Sequence, residues 1–115
     1  SALGTGMRQG LLAAFAEANR AGGVKGRKLE LVSKDDGYEP GRSAKVTREL
    51  IERDRVFALV GPVGTPTSLA AQPIAADYDI PFVGPFTGAE VFRDAAMRPN
   101  VINVRASYHR ETEAM

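Results

Sequence analysis

One stretch constrains the fold more than any other: residues 57–68, with the sequence FALVGPVGTPTS. Its first four residues are mostly apolar, which is typical of a short buried strand. Gly61, Pro62 and Gly64 follow and indicate a tight turn. Apolar residues at helical spacing then begin at Leu69. We therefore predict that a strand, a tight turn and a helix follow one another directly here.

The start of this predicted helix suits a small anion. The first turn of a helix leaves backbone N–H groups unpaired and carries a partial positive charge. Thr65, Thr67 and Ser68 add hydroxyl groups at the same point. A threonine at a helix start also commonly caps its own helix. The pattern therefore leaves two interpretations open, a ligand site and a simple helix cap at Thr65 or Thr67.

Composition excludes several classes of protein. The 115 residues suffice for one domain with a core of its own. The 15 basic and 14 acidic residues give a net charge of +1, without a run of one sign that would attract nucleic acid or an anionic membrane. The absence of cysteine excludes disulfides, thiolate metal sites and a cysteine nucleophile. No apolar run reaches the ~18 residues that a membrane span needs.

Apolar periodicity predicts alternating helices and strands along the chain. Alternation of this kind argues for a parallel sheet with helices on both faces. The predicted fold is therefore a single α/β domain over residues 1–115, doubly wound and flavodoxin-like. The expected helices cover about residues 7–21, 40–53, 66–78 and 90–96, with another beginning after residue 107, and the expected strands cover 28–34, 57–60, 82–83 and 101–105.

The predicted order lacks a first strand. A doubly wound domain normally begins with a central strand, whereas this pattern begins with a helix, and residues 2–6 form only a short glycine-rich loop. A missing strand would leave apolar edges on its neighbours, and such edges recruit other strands. We therefore expect either that the chain forms a homodimer or a strand-swapped association, or that the first strand exists but was not kept in this chain. The chain also opens without an initiator methionine, which indicates a processed or truncated product.

The acidic pair Asp35 and Asp36 allows two interpretations. A phosphoacceptor receiver domain uses such a pair to bind magnesium. That interpretation also requires an aspartate after the 57–60 strand and a lysine after a later strand, and Gly61 and Arg105 stand at those places. We therefore favour a capped turn that leads into the second helix.

The sequence carries no motif for catalysis, for a metal or for a cofactor. His109 is the only histidine, and no serine or metal-ligand spacing accompanies it, so we expect a surface residue. Neither glycine-rich turn has the Gly-Lys-Ser/Thr of a phosphate loop, and the GxGxxG spacing is absent. We therefore expect no catalytic residues, no metal and no cofactor.

Two similar turns give the strongest functional signal. The 61–68 turn and the 84–90 turn each follow an apolar strand, carry threonine and open a helix. In a parallel sheet both turns lie at the carboxyl ends of the strands, on the same edge. Together they would form a neutral wall rich in hydrogen-bond donors, suited to a carboxylate. The turns contain no general acid, general base or paired nucleophile, which predicts binding rather than catalysis.

Three stretches of the sequence resemble a known family. They are AGGVKGRKLELVSKDDGYEPGRS, ALVGPVGTPTSLAAQPIA and IPFVGPFTGAEVFR, and they occur in the family's order and spacing. They resemble the amino-terminal lobe of type I periplasmic binding proteins, in particular the branched-chain amino acid (leucine/isoleucine/valine) receptor group of ABC importers. Ligands of that family lie between two lobes. The resemblance thus implies that this chain is one lobe without its first strand.

The resemblance also implies a ligand wall on the two turns. In the family, a hydroxyl and a backbone N–H after the third strand bind the ligand's carboxylate. The turn after the fourth strand gives a backbone contact and a threonine hydroxyl, and a loop before the first helix lines the pocket. For Phe86, a role as a pocket wall and a role as a half-buried turn residue fit equally well. The implied ligand-binding residues are Gly64, Thr65, Phe86, Thr87 and, as the remnant of that loop, Leu3 and Gly4.

The function that the resemblance implies is solute capture for transport. The chain would be part of a periplasmic, extracytoplasmic solute-binding protein of an ABC importer. That protein would bind an amino acid or a related small carboxylate and dock on a membrane permease, without enzymatic activity or a nucleic-acid partner. An alternative is the ligand-sensing half of a regulator or receptor of the same fold. A third class is a flavodoxin-like or receiver-like enzyme domain.

Overall fold

The structure is a computed structural model that describes residues 1–114. These residues form two compact units, one spanning Ser1–Lys34 and a second that begins at Asp35. None of the helices in the described part of the chain combines the length and the apolar character that crossing a bilayer requires.

Helix α1, Ala2–Arg20, dominates the first unit. Its half-buried residues include the predicted stripe of Met7, Leu11, Phe15 and Ala18. The helix ends before Gly22 and Gly23, whose φ values of 103° and 76° suit a C-terminal stop. The predicted apolar stripe and the predicted stop are therefore both confirmed.

The start of α1 corrects one prediction. Leu3 and Gly4 lie inside the helix, although residues 2–6 were expected to form a loop. Ser1 explains the difference, because its hydroxyl accepts a hydrogen bond from the Gly4 N–H at 3.1 Å and its carbonyl accepts one from Thr5 at 3.0 Å. A helical glycine costs only about 1 kcal/mol relative to alanine, so a capped helix tolerates the glycines that suggested a loop.

The strand predicted over residues 28–34 is wrong. No strand pairs with this segment among the described residues, and a strand exists only through its hydrogen-bonded neighbour. At Leu29, the side chain of Asn19 takes the place of a neighbouring strand. The amide of Asn19 accepts from the Leu29 N–H at 2.7 Å and donates to the Leu29 carbonyl at 2.8 Å.

The second unit contains a parallel sheet of three short strands in the order β1-β2-β3. The predicted parallel α/β class is therefore confirmed. Phe57 corrects the predicted extent of the first strand, because it lies outside β1 and is 89% exposed instead of buried. The elements are α2 (Pro40–Glu52), β1 (Leu59–Val60), α3 (Thr65–Asp77), β2 (Phe82–Val83), a 3-10 helix (Glu90–Arg93), β3 (Val101–Ile102) and α4 (Tyr108–Ala114).

The acidic pair forms the predicted capped turn into α2. The Asp35 carboxylate accepts from the Gly37 N–H at 2.8 Å, and the Asp36 carboxylate accepts from the Tyr38 N–H at 2.9 Å. Glu39 then caps α2 by accepting from the Gly41 N–H at 3.0 Å. Both aspartates are therefore engaged in local turn structure, as expected for the structural interpretation.

A small apolar core connects α2 and α3 with the first two strands of the sheet. Phe82 of β2 is fully buried in it, and its ring stacks on Phe92 with 6.4 Å between the centroids. Because the strands are anchored in this core, their carboxyl ends have fixed positions at one edge of the sheet. The buried core residues are Ile51, Leu59, Ala71, Ala75 and Phe82.

Candidate functional site

The 61–68 turn and the 84–90 turn lie side by side at the carboxyl ends of β1 and β2. The Phe86 N–H donates to the Pro62 carbonyl at 2.7 Å, and the Gly64 N–H donates to the Phe86 carbonyl at 3.2 Å. Val63 and Phe86 form an additional parallel bridge beyond the two strands. The predicted neighbourhood of the two turns is therefore confirmed.

The helix-cap interpretation of Thr65 and Thr67 is wrong. The N-cap of α3 is Gly64, and none of the described side chains forms a cap hydrogen bond with the helix. Thr67 instead donates its hydroxyl to the carbonyls of Val63 at 2.5 Å and Gly64 at 3.2 Å, so it braces the turn. Ser68, which is fully buried, has a hydroxyl without a hydrogen-bond partner among the described residues. Thr65 is left free to bond outside its own helix.

The hydroxyls of Thr65 and Thr87 join the two turns. Their oxygens lie 2.5 Å apart and share a hydrogen bond. Thr87 is fully buried, and its hydroxyl also accepts from the Ala89 N–H at 3.2 Å. The structure thus brings together two of the predicted site residues, one from each turn, as a directly bonded pair.

Tyr108 and Arg105 extend this pair, and sequence reasoning did not include them in the site. The Tyr108 hydroxyl lies 3.4 Å from the Thr87 hydroxyl, and the Tyr108 N–H donates to the Gly88 carbonyl at 2.7 Å. The Arg105 guanidinium lies 5.1 Å from the centroid of Phe86 and 5.4 Å from that of Tyr108. Both residues follow β3, and the expectation that parallel strands end at one edge would have pointed to them.

Glu111 holds the Arg105 side chain in place. Its two carboxylate oxygens accept from Arg105 Nε at 2.7 Å and from the terminal Nη2 at 3.1 Å, a bidentate pair. The hydrogen bond and the charge of Arg105 lower the pKa of Glu111, and the same bond raises the pKa of Arg105. Hydrogen bonding with Thr87, then with Gly88 and Thr65, lowers the pKa of Tyr108. The wall thus combines neutral hydroxyls with one arginine whose charge is balanced by Glu111.

Arg93 ties the 84–90 turn to the segment that follows β3. Its guanidinium donates to the carbonyls of Thr87 at 3.2 Å and Ala89 at 2.8 Å. It also donates to the carbonyls of Arg105 at 2.8 Å and Ala106 at 3.2 Å. One side chain therefore fixes the backbone on both sides of the hydroxyl cluster.

The remaining predicted site residues differ in what they offer. Phe86 is half-buried, its N–H is donated to Pro62 and its carbonyl accepts from Gly64, so its ring is what remains for a ligand. Leu3 and Gly4 belong to α1 in the first unit, and their role in a site stays a prediction. His109 is exposed, as expected, with its imidazole 3.2 Å from the Glu113 carboxylate.

Comparison with known proteins identifies the family. The Leu/Ile/Val-binding protein homolog 2 of Brucella abortus is 29% identical over 94 residues, which are 82% of this chain and 25% of that protein. The crystal structure of a possible leucine/isoleucine/valine-binding protein from Rhodopirellula baltica matches with a TM-score of 0.90 and 48% identity. The match covers 98% of this chain and 30% of the Rhodopirellula chain. Another match is the branched-chain amino acid transporter substrate binding protein LivJ of Streptococcus pneumoniae, in complex with isoleucine. Its TM-score is 0.80 and its identity 27%, and the match covers 90% of this chain and 29% of LivJ.

These relatives are binding proteins, not enzymes, in agreement with the sequence-based expectation. The chain spans between a quarter and a third of their lengths. The family described as "Periplasmic binding protein" matches residues 1–115, the whole of this sequence. The chain therefore belongs to the periplasmic binding protein family.

Proposed function

We propose that this chain is one lobe of an extracytoplasmic solute-binding protein of an ABC importer. The complete protein binds an amino acid, in the first place a branched-chain one, or a related small carboxylate. The observation that carries this proposal is the Thr65–Thr87 pair at one sheet edge, in which the buried Thr87 hydroxyl bonds the half-buried Thr65 hydroxyl of the other turn. The similarity to leucine/isoleucine/valine-binding proteins supports the choice of ligand class.

The chemistry of the pair suits a carboxylate. Two hydroxyls carry two protons, and the bond between Thr65 and Thr87 uses one of them, so one proton remains for an external acceptor. Thr65 also opens α3, whose first turn offers unpaired N–H groups and partial positive charge. Hydrogen bonds to a charged acceptor are the stronger ones. A carboxylate is therefore the ligand group that gains most at this position.

A second lobe completes the site in this proposal. One wall of donors leaves the other side of a small ligand in water, and a second lobe that closes over the ligand excludes that water. Hinge closure of two lobes is a common way to trap a solute. The closed form then docks on the membrane permease, which receives the ligand.

Calorimetric titration of the full-length protein, expressed with the sequence that flanks this chain in its gene, tests the proposal. Leucine, isoleucine and valine serve as ligands. The Thr65→Ala substitution is expected to weaken binding by roughly 1–3 kcal/mol, because it removes a hydroxyl that meets a charged group.

Ser33→Ala is the matched control, since Ser33 is exposed and lies outside both turns. Its affinity is expected to equal that of the unmodified protein. Absence of binding by the unmodified protein to all three amino acids would overturn the proposed ligand class. Equal affinity of Thr65→Ala and the unmodified protein would remove Thr65 from the site.

A further inference from the structure

We propose that Tyr108 is a further ligand-contacting residue of the wall, and that its phenol hydroxyl donates a hydrogen bond to the ligand's carboxylate beside Thr65. This inference rests on the proposed function and adds a residue to the same site. It makes the segment after β3, as well as the two turns, responsible for recognising the acidic group of the ligand.

The first argument is the length of the bond between Tyr108 and Thr87. Their oxygens are 3.4 Å apart, whereas O–H···O bonds in proteins are usually ~2.7–2.8 Å long. Thr87 is meanwhile well satisfied by Thr65 at 2.5 Å and by the Ala89 N–H at 3.2 Å. The phenol proton is therefore held only weakly and is available to a stronger acceptor at the same place.

The second argument is access. Tyr108 is 48% exposed, while Thr87, which its hydroxyl approaches, is fully buried. Thr65 is half-buried, so its exposure is intermediate between that of Tyr108 and that of Thr87. Because Tyr108 and Thr65 are both partly exposed and both hydroxyls bond the buried Thr87, a ligand that reaches this edge of the sheet can contact the two side chains together.

The third argument is that the ring of Tyr108 is held in position. A Cβ atom on Gly88 would overlap the ring, so the glycine allows this close approach. The Arg105 guanidinium lies 5.4 Å from the ring centroid and is fixed in turn by Glu111. A donor that is already oriented loses little conformational entropy on binding and therefore contributes more affinity.

Electrostatics act in the same direction. Hydrogen bonding with Thr87 is the main cause that lowers the pKa of Tyr108, and the neighbouring Arg105 charge acts in the same direction. A phenol whose proton is more acidic donates more strongly to an anion. The environment thus favours donation to a carboxylate over donation to a neutral carbonyl.

The test compares the full-length protein with its Tyr108→Phe variant by calorimetry. The variant keeps the ring against Gly88 and Arg105 and loses only the hydroxyl. The probes are the tightest binder among leucine, isoleucine and valine, and the primary amide of that amino acid. We expect the affinity for the acid to fall about tenfold or more, and the affinity for the amide to fall about threefold at most.

Tyr78→Phe is the matched control. Tyr78 is also about half exposed, and its hydroxyl bonds Glu52 at 2.5 Å, at the end of α3 away from Thr65. This variant is expected to bind like the unmodified protein. Unchanged affinity of Tyr108→Phe for the acid would overturn the inference, and so would an equal loss for acid and amide, since that result indicates a structural role. If the unmodified protein bound none of the three amino acids, the proposed function itself would fail.

Discussion

The two turns that form the wall lie side by side but are stabilised by different interactions. The 61–68 turn leads directly into the 13-residue helix α3, and positive φ angles at Gly61 and Gly64 shape its backbone. The 84–90 turn leads only into a four-residue 3-10 helix. Its backbone is held by the side chain of Arg93, which binds carbonyls inside and outside the turn. The 61–68 turn thus depends on two positive-φ glycines and on the Thr67 hydroxyl, and the 84–90 turn depends on one positive-φ glycine, Gly84, and on the Arg93 guanidinium, so they should respond to different substitutions.

The largest expected effect is that of Arg93→Ala, which tests the 84–90 turn. The change removes charge-assisted hydrogen bonds to four carbonyls, so the free energy of unfolding should fall by roughly 3 kcal/mol. Arg93→Lys should lose less stability than Arg93→Ala, because lysine keeps the positive charge. It should still be less stable than the unmodified chain, because lysine lacks the planar guanidinium fork. Urea denaturation of the chain measures both variants. A loss below about 1 kcal/mol for Arg93→Ala would show that the turn holds without this side chain.

The next effect is that of Gly64→Ala, which tests the 61–68 turn. Gly64 has φ 94° and ψ 155°, a region that is essentially restricted to glycine and costs other residues about 1–3 kcal/mol. A Cβ there would also overlap the ring of Tyr38. Gly10→Ala is the control with the opposite sign: Gly10 lies inside α1 with open space around it, and alanine should stabilise the chain by about 0.5–1 kcal/mol. Equal unfolding free energies for the two variants would refute the conformational argument.

The smallest effect concerns Glu111, which positions Arg105 beside the 84–90 turn. Because Arg105 lowers the pKa of Glu111, the pair stabilises the folded chain above the ordinary glutamate pKa of ~4.3. That contribution is lost as the pH falls through the lowered folded value. Glu111→Gln should therefore melt at a slightly lower temperature than the unmodified chain at neutral pH, and the difference should shrink as the pH falls below the ordinary glutamate pKa. A difference that persists in acid would assign the effect of Glu111 to packing.

The sequence predicted the elements whose determinants are local. Pro40 starts α2 and Phe82–Val83 form β2, both as expected, because a proline in the first helical turn and an apolar run between turns are local signals. The strand predicted over residues 28–34 failed because pairing is not local. Asn19, ten residues away from Leu29, binds both backbone groups that a neighbouring strand would have bound.

The residues of the site were also predicted only in part. Thr65 and Thr87 were predicted as neighbours from sheet topology, since parallel strands end at one edge. Tyr108 follows β3 at the same edge but was not predicted, because topology places only its backbone. The approach of its side chain depends on the missing Cβ of Gly88, twenty residues earlier, and on an arginine held by Glu111. Neither condition leaves a recognisable pattern in the sequence around Tyr108.

The junction between the two turns has a consequence for how ligand preference can change. Its backbone hydrogen bonds join Pro62, Gly64 and Phe86, and the Thr65–Thr87 hydroxyl bond adds a side-chain link between the turns. Because the backbone bonds do not depend on the side chain at position 65, a substitution there can alter the chemistry of the wall while the backbone framework is kept. A point mutation at this position can therefore change the groups that the wall offers to a ligand.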